Sequence, residues 1–96
     1  MKLEFNKNGE NLIVTLEGRL DTTTAPELDS FLAENLMGVN SLTLDCTNLA
    51  YVSSAGLRVL LATHTKMKGA MKLTNVGELV MEVFEITGFT DVLVIE

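Results

Sequence analysis

Residues 44–61 read LDCTNLAYVSSAGLRVLL, and this stretch decides the fold of the chain. It predicts an apolar strand that ends near Cys46, a short polar loop, and a helix opened by Ser53 and Ser54. A helix N-terminus carries unpaired backbone N–H groups and the positive end of the helix macrodipole, and both favour a phosphate. The stretch therefore predicts a hydroxyl placed where added negative charge is tolerated.

The sequence before this stretch predicts a hairpin and a first helix. Apolar and polar residues alternate over residues 3–16 around Asn8-Gly9, a dipeptide that accepts the positive φ angles of a tight turn. Thr24 and Glu27 have the spacing of a capping box, and the helix that they begin ends at Gly38. Its apolar residues recur at helical spacing, at Leu28, Phe31, Leu32 and Leu36.

The sequence from Ser53 onward predicts two further helices, each followed by a strand. The second helix is predicted to extend to about Lys68, and a strand follows over residues 71–73. Asn75 is the predicted N-cap of a third helix that stops at Gly88, after which an apolar run closes the chain as a strand.

The predicted order of elements, ββαβαβαβ, indicates an α/β fold in a single domain over residues 1–96. Strands separated by helix-length segments need crossover connections, whereas the opening hairpin is antiparallel. We therefore expect a mixed, mostly parallel β-sheet with about three α-helices.

Composition excludes several classes of function. Hydrophobic residues make up 47% of the chain, which is typical of a globular domain rather than a disordered segment. Thirteen acidic residues against seven basic ones give a net charge of −6, so nucleic acid and anionic membranes would be repelled and protein partners are expected. No stretch approaches the roughly 18 apolar residues of a membrane span. Because no cluster has metal-ligand spacing and no glycine-rich phosphate loop occurs, neither a metal nor a cofactor is predicted.

Cys46 is the only cysteine and cannot form an internal disulfide. Its position at an apolar strand predicts a buried thiol in a reducing compartment, for which the cytoplasm is the simplest location. An enzyme hypothesis would join Cys46 as nucleophile, His64 as base and Asp45 as orienting carboxylate. No motif of a thiol enzyme surrounds Cys46, so binding rather than catalysis is predicted.

Ser53 and Ser54 have different predicted roles at the start of the second helix. If Ser53 is the N-cap, its hydroxyl accepts the N–H of Gly56, and Ser54 occupies the first helical position with a free hydroxyl. Asp21 and Asp45 are expected on the same rim of the sheet as these serines. Gly56 either admits a partner closely or lets the helix pack tightly on the sheet, and the residues alone leave both explanations open.

Two separated motifs resemble STAS domains, in particular bacterial anti-sigma-factor antagonists. They are residues 44–58 and the segment Gly18-Arg19-Leu20-Asp21, with the threonines and Pro26 that follow it. The resemblance implies a partner-switching regulator, which binds an anti-sigma factor, often a serine kinase, and thereby frees a sigma factor until phosphorylation ends the binding. The family's phosphoacceptor falls on Ser54, and Ser53 stands where the family frequently has aspartate.

We expect the partner to contact the surface around the start of the second helix and the turn before the first. Its predicted residues are Asp21, Thr22, Ser53, Ala55, Gly56 and Arg58. The expected partner is the anti-sigma factor with serine kinase activity, and a serine phosphatase is left open as another. STAS domains also occur in lipid transport and stress signalling, so an adaptor subunit in such a complex is the alternative function.

Overall fold

The regular structure of this protein consists of five strands, three α-helices and one turn of 3-10 helix at Phe89–Asp91. The computed structural model describes all residues from 1 to 96. The elements are β1 (Lys2–Asn8), β2 (Asn11–Leu20), α1 (Ala25–Asn35), β3 (Ser41–Val52), α2 (Ser54–Lys66), β4 (Met71–Thr74), α3 (Glu78–Thr87) and β5 (Val94–Ile95). The predicted order ββαβαβαβ is confirmed.

The five strands form one sheet in chain order, β1-β2-β3-β4-β5. The β1–β2 hairpin is antiparallel, whereas the pairs β2–β3, β3–β4 and β4–β5 are all parallel. The mixed, mostly parallel sheet is therefore confirmed. Because each parallel connection advances in the same direction and crossovers are right-handed, the three helices lie on one face of the sheet.

The core lies between that face and the helices. Twenty buried apolar residues form a single cluster, to which β2, β3, β4 and all three helices contribute. Leu3 of β1 and Ile95 of β5 are partly buried and pack against this cluster. In β2 every second residue from Leu12 to Leu16 is buried, and Phe84 of α3 is also fully buried. The alternate positions of the strands are polar or partly exposed, as expected for a sheet covered on one side only.

Strand β3 is twelve residues long and corrects the prediction of a short strand followed by a polar loop. Thr15 pairs with Asp45 and Glu17 with Asn48, so β3 contains one residue more than β2 at this point, and a second irregularity follows between Gly18 and Arg19. Bulges of this kind insert a residue without ending the pairing. The polar residues of β3 that resemble a loop in sequence are thus accommodated within the strand.

The predicted N-cap of the third helix is also wrong. The N-cap of α3 is Gly77, and Asn75 instead has a positive φ of 55°. The amide of Asn75 donates a hydrogen bond of 3.2 Å to the Asp45 carboxylate, which lies on the neighbouring strand. Asparagine tolerates the left-handed conformation better than most residues, so here it serves a tight turn between β4 and α3.

Gly56 brings the first turn of α2 directly onto the end of β2. A Cβ atom at this position would lie 2.6 Å from Cγ of Leu20 and 3.0 Å from the Leu20 carbonyl oxygen. The backbone of Gly56 is buried, and Leu20 is fully buried beneath it. Of the two explanations for Gly56, the structure supports tight packing of the helix on the sheet.

We expect Gly56→Ala to lower the free energy of unfolding. Overpacking of a core costs about 1–3 kcal/mol, which outweighs the roughly 1 kcal/mol that alanine contributes over glycine inside a helix. Urea unfolding measures this change. Gly77→Ala is the matched control because its added methyl group would meet nothing within 4 Å. A Gly56→Ala protein as stable as the wild type would contradict the packing explanation.

Candidate functional site

The candidate site lies where β2 and β3 end side by side. Leu20 pairs with Val52, and the Ser53 N–H donates a hydrogen bond of 2.8 Å to the Leu20 carbonyl. The turn that begins at Asp21 and the start of α2 are therefore neighbours. Asp45 lies elsewhere, well inside β3 and opposite Thr74 at the end of β4, so its predicted place on this rim is wrong.

The turn between β2 and α1 is held by reciprocal hydrogen bonds between its side chains and backbone. The Asp21 carboxylate accepts the N–H groups of Thr23 and Thr24 at 3.0 and 3.1 Å. The Thr24 hydroxyl accepts the Asp21 N–H at 2.8 Å and donates to the Arg19 carbonyl at 2.7 Å. This arrangement leaves Thr22 exposed at the tip of the turn.

The predicted capping box of Thr24 and Glu27 is absent, and the turn explains why. The backbone of Thr24 is already helical, and its side chain makes no hydrogen bond to the first turn of α1. A capping side chain must project from an extended residue onto the N–H groups that follow it. The Thr24 hydroxyl is instead used within the turn, and the carboxylate of Asp21 satisfies the backbone there.

Asp21 is held in its ionised form. The Thr24 N–H is the main cause that lowers its pKa below the ordinary 3.8, and although partial burial acts in the opposite direction, the Thr23 N–H and the Arg19 guanidinium lower it further. Nε of Arg19 lies 3.6 Å from the carboxylate. The turn thus presents a fixed negative charge beside the start of α2.

Ser53 is the N-cap of α2, as predicted. Its backbone is extended, and its hydroxyl accepts the Gly56 N–H at 3.4 Å. Ser54 is the first residue of the helix and is exposed. Because the cap uses the hydroxyl of Ser53, that of Ser54 is left available at the helix N-terminus.

A shallow groove of about 350 Å³ separates the first turns of α1 and α2 and brings several predicted residues together. Its lining residues are Thr22, Ala25, Pro26, Asp29, Ala55, Arg58 and Val59. Arg58 is exposed, and none of the three ion pairs of the structure involves it. The groove therefore has a small apolar floor, and its rim carries an arginine without a carboxylate partner.

Two residues lie beside this site that the sequence analysis did not predict there, Arg19 and Tyr51. They are paired across β2 and β3, and the Arg19 guanidinium lies 4.2 Å above the centre of the Tyr51 ring. Tyr51 remains 38% exposed to solvent. Successive side chains of a strand point to opposite faces of the sheet. Because Arg19 and Tyr51 each directly precede a buried residue, this alternation predicts that both lie on the open face.

The enzyme hypothesis finds no support in the environment of Cys46. Its side chain is fully buried, and its thiol donates to the Leu44 carbonyl at 3.6 Å, which confirms the predicted buried thiol. Burial raises the pKa of Cys46 to about 12, and the neighbouring Asp45 charge acts in the same direction. Since the thiolate is the nucleophile, a thiol held protonated in the core is inert.

Another concavity, of about 370 Å³, lies at the opposite end of the sheet, where β3 and β4 begin. Lys72 is the one charged side chain in its lining, and it pairs with Glu96 at 3.5 Å. Among its neutral polar residues, the Ser41 hydroxyl donates a hydrogen bond of 2.7 Å to the Asn11 side chain, so these two groups satisfy each other. No α-helix of the structure combines the length and apolar character needed to cross a bilayer.

The charge on Asp21 predicts a pH-dependent contribution to stability. Because its pKa is lowered in the folded state, the ionised carboxylate stabilises the fold fully above the unfolded-state pKa, and this contribution disappears as the pH falls through the folded-state pKa. We expect wild type to be more stable than Asp21→Asn at neutral pH and the difference to shrink below about pH 4.

Urea unfolding of both proteins between about pH 3 and pH 7 measures this difference. Asp45, whose pKa is also lowered, chiefly by the Thr47 hydroxyl, is present in both proteins and cancels from the comparison. A difference that is constant down to the lowest pH would show that the Asp21 charge does not stabilise the turn.

Comparison with known proteins agrees with the fold and the motifs. The model of the STAS domain family matches residues 2–96. BtrV of Bordetella bronchiseptica, named as a candidate anti-sigma factor antagonist, is 36% identical over 96% of this chain and 83% of its own length. The anti-sigma-B factor antagonist of Bacillus subtilis is 28% identical over 97% of this chain and 88% of its own.

Solved structures show the same fold at lower identity. An anti-sigma factor antagonist from Mycobacterium paratuberculosis superposes with a TM-score of 0.87 and 20% identity, over 98% of this chain and 83% of that one. The five-stranded mixed sheet with helices on one face is thus an architecture that relatives share. With a family match over almost the whole length and a relative at 36% identity, the chain belongs to the STAS domain family.

Proposed function

We propose that this chain is an anti-sigma-factor antagonist. In its unmodified form it binds an anti-sigma factor with serine kinase activity and so releases a sigma factor, and phosphorylation of Ser54 ends the binding. The observation that carries the proposal is the exposed Ser54 at the N-terminus of α2, next to a second helix start and an exposed turn. The names of the two relatives from Bordetella and Bacillus support the partner.

The surface around Ser54 has the character of a protein-binding site. The groove between α1 and α2 combines apolar side chains on its floor, among them Ala55 and Val59, with polar and charged groups at its rim. Thr22 and Arg58 stand exposed on that rim. Transient interfaces share this mixture of a small apolar centre and a polar periphery. The proposed partner contacts are Asp21, Thr22, Ser53, Ala55 and Arg58. Gly56 lies on the buried side of α2, where it lets the helix pack closely on Leu20.

Ser54 is suited to accept a phosphoryl group from ATP bound to the kinase. Its hydroxyl oxygen attacks the γ-phosphorus, the bond between that phosphorus and the oxygen of the departing ADP breaks, and the hydroxyl proton passes to a base on the kinase. The hydroxyl of Ser53 is the poorer acceptor because it already accepts the Gly56 N–H. Modification of Ser54 therefore leaves the N-cap intact.

The phosphate affects folding and binding with opposite signs. At a helix N-terminus an added negative charge is favoured by roughly 0.3–1 kcal/mol, so the fold survives the modification. Within a protein interface an unpaired phosphate costs several kcal/mol to bury, and each 1.4 kcal/mol reduces the affinity about tenfold. Binding therefore loses much more than folding gains, and the modification acts as a release signal.

We expect Ser54→Asp to lower the affinity for the anti-sigma factor by at least about tenfold, because it places a permanent charge in the interface. Ser54→Ala should bind about as tightly as wild type and should not be phosphorylated or released when ATP is added. Calorimetry with the anti-sigma kinases encoded in the same genome measures the affinities, and peptide mass spectrometry identifies the modified residue. Thermal unfolding verifies that both variants are folded.

Ser53→Ala is the matched control. Loss of the cap costs about 1 kcal/mol of stability but leaves the hydroxyl of Ser54 in place, so phosphorylation should continue. Equal affinities of Ser54→Ala and Ser54→Asp, or phosphate found on Ser53 alone, would contradict the proposed switch. If the protein binds none of the anti-sigma factors tested and is instead captured in a lipid-transport or stress-signalling complex, the adaptor function would be established.

A further inference from the structure

Arg58 follows Ser54 by one turn on the surface of α2. Both residues are exposed, and the helix is regular from Ser54 to Lys66. Residues four apart on a helix are surface neighbours, with Cβ atoms about 5–6 Å apart. Helical side chains lean toward the helix N-terminus, so the side chain of Arg58 is directed toward Ser54.

The guanidinium of Arg58 is free in the unmodified protein. The basic side chains of the three ion pairs are Lys2, Arg19 and Lys72. Arg19, the other arginine of the chain, is occupied by the Asp21 carboxylate and the Tyr51 ring. The first turn of α2 contains no acidic residue, and Asp29 of α1, which lines the same groove, forms no ion pair with Arg58. A cation without a partner therefore stands one turn after the proposed phosphoacceptor.

We propose, on the basis of the proposed phosphorylation of Ser54, that Arg58 clamps the phosphate within the same molecule. Its planar guanidinium donates two N–H groups to phosphate oxygens, a geometry that arginine provides and lysine does not. The acidic group is N-terminal to the basic one at a spacing of four, which is the favourable orientation for an ion pair on a helix. The clamp adds to the attraction of the helix N-terminus for the phosphate.

The clamp gives the modification a second effect on the partner-binding surface. In the unmodified protein Arg58 is exposed at the rim of the groove between α1 and α2 and is available to a partner. After phosphorylation the guanidinium is drawn toward residue 54 and neutralised in place. One phosphate therefore adds negative charge at Ser54 and withdraws a positive group from the groove.

The ionisation of the phosphate itself tests the clamp. Phosphoserine can be incorporated at position 54 of the full chain during translation, which removes any need for the kinase, and ³¹P NMR then follows its second pKa, ordinarily about 6. A nearby guanidinium favours the dianion. We expect this pKa to be lower in the wild-type phosphoprotein than in its Arg58→Gln variant by at least about 0.3 of a pH unit at low salt.

Two variants separate the clamp from a general effect of charge. Lys66→Gln removes the same charge from the last turn of the same helix and should leave the phosphate pKa unchanged, because Lys66 is too far away. Arg58→Lys should recover only part of the shift. Asp29 also lines this groove and Asp21 lies in the turn beside it, and both carboxylates are present in every protein compared. The shift should diminish as the ionic strength rises.

Equal phosphate pKa values in the wild-type and Arg58→Gln phosphoproteins would overturn the clamp. The same samples test the proposed function separately, through their affinity for the anti-sigma factor. A lowered pKa in a phosphoprotein that binds as tightly as the unmodified form would support the clamp and refute the switch. A phosphoprotein that fails to bind but shows no Arg58-dependent pKa would support the switch and refute the clamp.

Discussion

The structure depends on one contact, the packing of the first turn of α2 against Leu20 at the end of β2. The Leu20 carbonyl accepts the Ser53 N–H at 2.8 Å, and a Cβ atom at Gly56 would clash with the Leu20 side chain at 2.6 Å. Because Leu20 directly precedes Asp21, this contact also sets the distance between the two turns of the candidate site. The geometry around Ser54 is therefore a property of how a helix rests on a strand.

The topology leaves the candidate site accessible. A sheet whose parallel strands follow in chain order receives all its crossover helices on one face, and the turns that enter those helices collect along one edge. The starts of α1 and α2 are brought together there, with the fixed charge of Asp21 between them. The hydroxyl of Ser54 stands in this setting without taking part in the capping of its own helix. Modification of Ser54 can consequently change the surface while the fold is preserved.

Local patterns in the sequence predicted the fold well because each depends on neighbouring residues. Hydrophobic alternation identified β2, helical spacing identified α1 to α3, and the serine pair identified the start of α2. The predictions failed where partners distant in sequence decide the structure. Thr47 and Asn48 resemble a loop, yet pairing with β2 keeps them within a bulged strand. Thr24 and Asn75 are good caps by residue type, but their side chains are used by Arg19 and Asp45 instead.

For the site, the sequence alone determined that Ser53 caps the helix and that Ser54 is left exposed beside it, because capping involves residues only three apart. Only the tertiary structure decided which carboxylate lies nearby. Asp21 and Asp45 are equivalent by pattern, but strand register places Asp21 next to Ser53 and Asp45 opposite Thr74. Tertiary structure also decided that Gly56 is needed for packing and that Arg19 covers Tyr51. Register and close approach join residues far apart in the chain, and no local spacing encodes them.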